Sequence, residues 1–179
     1  MGYLYITRHG QTVWNVADKV CGATDIELTD FGRQQAIELG NIINDDCTIK
    51  IDEIVASPLV RAKDTASYIS EITGIPMHTD ERIREQNFGK YEGGGRRSDE
   101  FLAAKRNFVD SFEGGETMLR VAQRVYNLID ELKEDKDKTY LIVAHNGIAR
   151  IIHSYFCDLS NEEFASHSIK NCELVKYIF

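Results

Sequence analysis

Tyr3-Leu4-Tyr5-Ile6-Thr7, followed at once by Arg8-His9-Gly10, decides how the rest of the chain is read. Five consecutive strand formers, apolar at nearly every position, suit a strand covered on both faces. The run stops abruptly at two basic side chains and a glycine. The same design recurs twice. Ile54-Val55-Ala56 stops at Ser57-Pro58, and Tyr140-Leu141-Ile142-Val143-Ala144 stops at His145-Asn146-Gly147. Met77–Thr79 reads as a short strand and residues 173–178 as a closing edge strand.

Helical patterns fill the intervals. Thr29 is a good N-cap for a helix to about residue 43, with Ala36, Leu39, Gly40 and Ile43 on one face. Ser57 is expected to cap the next helix, with Pro58 at its first position, where a missing N–H costs little, and the helix is expected to end near residue 72. Residues 116–133 carry an apolar stripe at helical spacing through Met118, Ala122, Val125, Ile129 and Leu132. A helix over 148–156 follows the third strand. The charged runs 133–138 and Asp45-Asp46 read as solvated turns, and no internal repeat is visible.

Strands alternating with helices imply an α/β fold: a three-layer α/β/α arrangement, its central sheet mostly parallel, with helices on both faces. The 179 residues suit a single domain over 1–179, since no Pro/Gly/Ser-rich linker divides them and there are only two prolines. In such folds ligands bind beyond the carboxyl ends of the strands. The first strand delivers Arg8 and His9 to that edge. The second delivers Ser57 and, one helical turn on, Arg61; the third delivers His145. Two arginines and two histidines are therefore expected to converge.

That set is a receptor for a dianion. Guanidinium groups match phosphate oxygens, and helix N-termini aim free N–H groups and a positive dipole end at the same place. A metal is less natural there, because arginines repel cations and no His-x-x-x-His or His-Glu-x-x-His spacing occurs. Nearby positive charge favours the neutral imidazole, so His9 is a good nucleophile for phosphorus. Arg8 and Arg61 would hold the phosphate in line and stabilise charge on its equatorial oxygens. The leaving alkoxide needs a proton, which calls for a carboxylic acid nearby.

The bulk properties narrow the alternatives. A net charge of −8, from 29 acids against 21 bases, argues against nucleic-acid binding but permits a local basic cleft. Cys21, Cys47, Cys157 and Cys172 form no CxxC pair and read as reduced thiols of a cytoplasmic protein. The first ten residues lack the pattern of a signal peptide, and no apolar run approaches a membrane span. No cofactor is expected, the partner is a small phosphomonoester, and the oligomeric state is left open.

Several motifs in order resemble the histidine phosphatase superfamily, which includes the cofactor-dependent phosphoglycerate mutases. They are Arg8-His9-Gly10-Gln11-Thr12 with Trp14-Asn15, Cys21-Gly22 through Leu28-Thr29, and Ser57-Pro58-Leu59-Val60-Arg61-Ala62. Arg84-Glu85-Gln86-Asn87-Phe88-Gly89-Lys90-Tyr91-Glu92-Gly93, Gly115-Glu116-Thr117 and Val143-Ala144-His145-Asn146-Gly147 complete the series. The resemblance implies a phosphoglycerate mutase-like fold, a phosphorylated His9 and Glu85 as proton donor. It implies phosphoryl contacts from Arg8, Arg61 and His145, with Asn15, Cys21, Gly22, Asn146 and Gly147 also at the substrate, and no metal.

Typical mutases of this family carry a longer insertion between the Glu85 and Gly115 regions, so the short stretch here favours a phosphatase. Mutase-type transfer, an inert phosphoester-binding module and, more distantly, a metal hydrolase are the rivals. Asn146 stands where many relatives have glycine; its side chain is expected to cap the following helix. Tyr91 stands where they often have tryptophan. Residues 93–97 (Gly-Gly-Gly-Arg-Arg) read as a solvated basic loop on the rim. Specificity is expected in the rim segments 21–27 and 93–112. Trp14 reads as packing, and His78, His153 and His167 lack motif support.

Overall fold

The computed structural model describes residues 2–179. A five-stranded sheet runs in the order β3-β2-β4-β1-β5, with β1 at Tyr3–Arg8, β2 at Glu53–Ala56, β3 at Met77–Thr79, β4 at Tyr140–Ala144 and β5 at Leu174–Ile178. The first four strands are parallel, and β5 pairs antiparallel along the outer edge of β1. This is the expected mixed α/β architecture.

Strand side chains alternate between two cores, because successive residues point to opposite faces. Leu4, Ile6, Val55, Ile142 and Ala144 face one apolar cluster, covered by the helices Met118–Glu134 (α5) and Asn146–Phe156 (α6). Tyr5, Ile54, Ala56, Leu141 and Val143 face the other, covered by Asp30–Asp45 (α2) and Val60–Thr73 (α3). Both faces are thus closed, which is why these strands read as continuous apolar runs. Three short helices complete the chain: α1 at Val13–Val16, α4 at Asp99–Ala104 and α7 at Asn161–Ser166. No helix among the described residues is long and apolar enough to cross a membrane.

The expected helices are present, with corrections at their edges. Thr29 caps α2 by accepting from the Gly32 N–H at 3.0 Å, and Ala36, Leu39, Gly40 and Ile43 are all buried. α5 buries a wider arc than its predicted stripe: Val121 and Leu128 are buried, whereas Ala122 is only half-buried. α5 is covered not by the sheet alone but also by α6 and the turn Glu81–Ile83, so more of its circumference is buried.

α3 begins at Val60, so Ser57 and Pro58 lie outside it. The Ser57 hydroxyl is engaged with His145 at 2.7 Å, and the Val60 N–H donates instead to the Asp25 carboxylate at 2.7 Å. A remote loop thus caps the helix. α6 starts earlier than expected, immediately after His145, whose extended backbone forms the N-cap.

Gly10 has a packing reason beyond a tight turn. A Cβ there would lie 2.2 Å from the Gly32 carbonyl oxygen, because the chain leaving β1 crosses the first turn of α2 at backbone distance.

Candidate active site

Strand register assembles the centre of the site. Arg8 pairs with Ala144, and Ala56 pairs with Val143. One residue beyond each pair the ladder continues: the His9 N–H donates to the Ala144 carbonyl at 3.0 Å, and the Ser57 N–H to the Val143 carbonyl at 2.9 Å. His9, Ser57 and His145 are therefore neighbours because their strands are. The two imidazole centroids lie 5.2 Å apart, with the rings tilted by 59°.

His9 is 4% exposed. Its Nδ1 lies 2.7 Å from the Gly10 carbonyl oxygen, which can only accept, so Nδ1 carries the proton. Nε2 is left with a free lone pair. Burial, then the charges of Arg61 and Arg8, hold the His9 pKa well below the usual histidine value. Asn171 donates through Nδ2 to the His9 carbonyl at 2.7 Å and fixes the backbone from the other side.

His145 is likewise held neutral, by burial first and then by Arg61, His9 and Arg8. Its Nε2 meets the Ser57 hydroxyl at 2.7 Å, while Nδ1 is buried without a protein partner.

The arginines are placed differently. Arg8 donates through one terminal nitrogen to the Ile169 carbonyl at 3.3 Å, and burial opposes its charge. Arg61, at the start of α3, is fully buried. It donates to the Thr24 carbonyl at 2.9 Å and to the Gly22 carbonyl at 2.7 Å. The Nε atoms of both arginines lack a partner. Four buried side-chain polar atoms among the described residues make no hydrogen bond, and three of them are Arg8 Nε, Arg61 Nε and His145 Nδ1. Native interiors rarely leave such groups unpaired, and these three belong to the residues whose charges or ring adjoin His9.

Glu85 lies in a loop after the short 3₁₀ turn Glu81–Ile83 and is 7% exposed. Its carboxylate accepts from its neighbour's Gln86 N–H and from the Gly147 N–H, each at 3.0 Å. A Cβ on Gly147 would stand 2.4 Å from Glu85 Oε1, so only glycine lets the carboxylate approach the N-terminus of α6 this closely.

Arg8, His9, Asn15, Cys21, Glu85, Asn146 and Gly147 line one cavity. Gly22, Arg61 and His145 are not part of that lining and stand behind it. Among the minor residues, the Gly147 N–H is committed to Glu85. The Asn15 side-chain oxygen accepts from the Thr12 N–H at 3.0 Å in a capping box, which leaves its amide nitrogen for other contacts. The Asn146 side chain does not cap α6; it accepts from Ser168 and from the Ile169 N–H, both at 3.1 Å, and ties that segment to the site. The Cys21 thiol is pushed up to about 11, chiefly by burial, so it stays protonated.

Sequence reasoning missed the fasteners. Glu92 accepts five hydrogen bonds, from the Gly22, Ala23, Thr24 and Phe88 N–H groups and from the Thr24 hydroxyl. It thereby shapes the loop whose carbonyls hold Arg61. No periodicity signals such a role. The basic segment 93–97 is also not a free loop: Gly93 and Gly94 exchange backbone hydrogen bonds with Val20, and Asp18 binds Arg96 at 2.7 Å and Arg97 at 3.1 Å. The rim segment 93–112 folds over Val20, Phe88, Phe101 and Phe112 as a small apolar lobe. Outside the site, His78 pairs with Glu53, and His153 stacks on His167 with centroids 4.0 Å apart.

Comparison with known proteins agrees with this architecture. The sequence profile of the histidine phosphatase superfamily (branch 1) matches residues 4–179. A probable phosphoglycerate mutase of Erwinia tasmaniensis is 31% identical over 181 residues, covering 96% of this chain and 82% of its own. A glucosyl-3-phosphoglycerate phosphatase of Mycobacterium tuberculosis is 32% identical over 165 residues, covering 81% of this chain and 70% of its own. The solved structure of a mycobacterial glucosyl-3-phosphoglycerate phosphatase superimposes with a TM-score of 0.83 at 27% identity, over 97% of this chain and 88% of that one.

Proposed function

The chain belongs to the histidine phosphatase superfamily, and on that premise we propose that it hydrolyses small phosphomonoesters through a phosphohistidine on His9. The observation that carries the proposal is the set of unpartnered buried nitrogens, Arg8 Nε, Arg61 Nε and His145 Nδ1, on the three residues whose charges or ring adjoin an imidazole whose Nε2 keeps its lone pair. Donors aimed at the equatorial oxygens stabilise the charge that spreads there during transfer.

In the first step the His9 Nε2 lone pair attacks phosphorus and the P–O ester bond breaks. The Glu85 carboxyl gives its proton to the departing alkoxide oxygen. In the second step water attacks the phosphohistidine, its proton passes to the Glu85 carboxylate, and the P–N bond breaks to release inorganic phosphate. No step needs a metal ion. His9 enters neutral without prior deprotonation, because burial and the two guanidinium charges disfavour its cation.

The relatives are named a mutase and a phosphatase, and the proposed intermediate would serve either outcome, return of the phosphoryl group to an acceptor or hydrolysis. The short stretch between Glu85 and Gly115 offers little material to enclose a bound acceptor, which supports hydrolysis. A panel of small phosphoesters read by phosphate release, with His9→Ala as the blank, tests the reading. Free phosphate should form without a bisphosphate activator and be lost in the variant. Isomerised ester in excess of free phosphate, dependent on such an activator, would replace the phosphatase with a mutase.

A further inference from the structure

The proton on His9 Nδ1 is held by a backbone carbonyl whose direction nothing in its own residue fixes. Gly10 has no side chain to restrain it, so the peptide plane after it can flip at little steric cost. The planes on either side are secured. In the plane joining His9 to Gly10, Asn171 holds the oxygen and the Gly10 N–H donates to the Thr65 hydroxyl at 3.0 Å. In the plane joining Gln11 to Thr12, the Gln11 carbonyl accepts from the Thr29 N–H at 2.9 Å, and the Thr12 N–H donates to Asn15 Oδ1 at 3.0 Å.

The middle plane carries the Gly10 carbonyl, which meets His9 Nδ1 at 2.7 Å, and at its other end the Gln11 N–H. These two groups point in opposite directions across one rigid unit, so fixing one fixes the other. The Gln11 N–H donates at 2.9 Å to Oε1 of Gln35, a half-buried residue of α2. Without that acceptor the plane is anchored only by the imidazole it has to orient. A flipped plane would turn the Gln11 N–H toward Nδ1. Nδ1 would then accept, the ring proton would move to Nε2, and no lone pair would be left there for phosphorus.

We infer that Gln35 is a positioning residue for the proposed reaction: by holding the Gln11 N–H it keeps the Gly10 carbonyl on Nδ1 and the His9 lone pair on Nε2. Thr65, fully buried in α3, supports it one plane earlier. Its hydroxyl proton is committed to the Arg61 carbonyl at 2.7 Å, which leaves its oxygen to accept from Gly10 and ties the turn after His9 to the helix that carries Arg61. Neither Gln35 nor Thr65 lines the cavity. The inference rests on the phosphatase reading for its effect on turnover, but not for its effect on the tautomer.

Nitrogen-15 NMR of histidine-labelled protein at about pH 8, where the ring is neutral, reads which nitrogen of His9 carries the proton, without any substrate. The His9→Ala protein assigns the signal. The parent should show Nδ1–H. Gln35→Met keeps the length of the side chain and removes the acceptor. It should convert about nine rings in ten to Nε2–H and lower kcat about tenfold, in step with the fraction left as Nδ1–H, with KM within about twofold. Gln35→Glu keeps an acceptor oxygen and should restore Nδ1–H. Thr65→Val should convert about half of the rings and halve kcat, and Thr65→Ser should reverse both; this pair decides if Gln35→Met does not fold. A parental tautomer in Gln35→Met, whatever its Tm or kcat, would reduce Gln35 to packing and overturn the inference. A converted tautomer with kcat unchanged would overturn it as well. Conversion in a protein whose parent hydrolyses no ester would refute the phosphatase reading and leave the clamp on the tautomer standing. Hydrolysis by the parent with an unmoved tautomer in the variants would do the reverse.

Discussion

The two halves of this site are built by different means. Arg8, His9, Ser57 and His145 ride on the ends of β1, β2 and β4, where the pairing of Arg8 with Ala144 and of Ala56 with Val143 dictates who neighbours whom. Glu85, the 21–24 loop and the lobe over 93–112 hang instead on side-chain fasteners: Gly147 on Glu85, Glu92 on the loop, Asp18 on Arg96. On the proposed reading, the sheet-borne half supplies the nucleophile and the groups that meet phosphorus, and the loop-borne half supplies the proton donor and the walls that choose the alcohol. A reaction common to many substrates is thus fixed to the rigid scaffold, and selection is left to segments that tolerate change.

That contrast can be broken at several points. The largest effect should come from the sheet side, where His9→Ala removes the attacking atom and should lower kcat by about 10⁴-fold or more with the fold intact, as phosphate release and circular dichroism would show. On the loop side, Glu85→Gln should cost about 10²–10⁴-fold for esters with poor leaving groups and much less for p-nitrophenyl phosphate. A loss of equal size for every leaving group would remove Glu85 from the acid role.

Glu92→Ala should release the 21–24 loop and free the two terminal nitrogens of Arg61. The expected result is a KM increase of about tenfold with a lowered Tm, since a carboxylate accepting several backbone N–H groups is worth about 2–3 kcal/mol. An unchanged Tm would show that the loop is held by something else. Ser57→Ala should cost about threefold to tenfold in kcat with little change in KM, because its hydroxyl orients His145; Ser57→Thr should restore most of it. Equal defects in both variants would assign Ser57 to packing alone.

The smallest effect sharpens the electrostatic side of the comparison. His9 and His145 are neutral in the fold, with pKa values held below the ordinary one, whereas in the unfolded chain they take up protons near about 6.5. Protonation therefore favours unfolding. Stability contributed by the neutral pair is complete above that unfolded value and declines as pH falls below it, by at most about 1.4 kcal/mol per pH unit for each histidine. His145→Phe should reduce the slope in urea titrations between pH 6 and 5. The same shift predicts that kcat/KM is not lost as pH drops through the ordinary histidine range. A steep fall centred near 6.5 would mean that His9 titrates as a solvent-exposed group.

What could be read without coordinates follows the same division. Strands covered on both faces leave continuous apolar runs, so Tyr3–Arg8 and Tyr140–Ala144 announce themselves, and the residue after each run must stand at the sheet edge. Arg8, His9 and His145 were legible for that physical reason. Glu85 was not: it sits in a loop whose position depends on Gly147 and on packing against α5, and only the family resemblance pointed to it. Serine before proline is a good helix-start signal and points to Ser57 as a cap, but its hydroxyl has a stronger partner in the buried imidazole.

The central claim is that Nε2 of His9 accepts the phosphoryl group, because the Gly10 carbonyl holds the proton on Nδ1. The most direct test is rapid acid-free quenching of the enzyme with a phosphoester at low temperature, followed by peptide mapping and phosphorus NMR of the trapped species. The account predicts one base-stable, acid-labile phosphoryl group, linked to Nε2 of His9. A phosphoryl group on Nδ1, on another residue, or none at all during active turnover would contradict it.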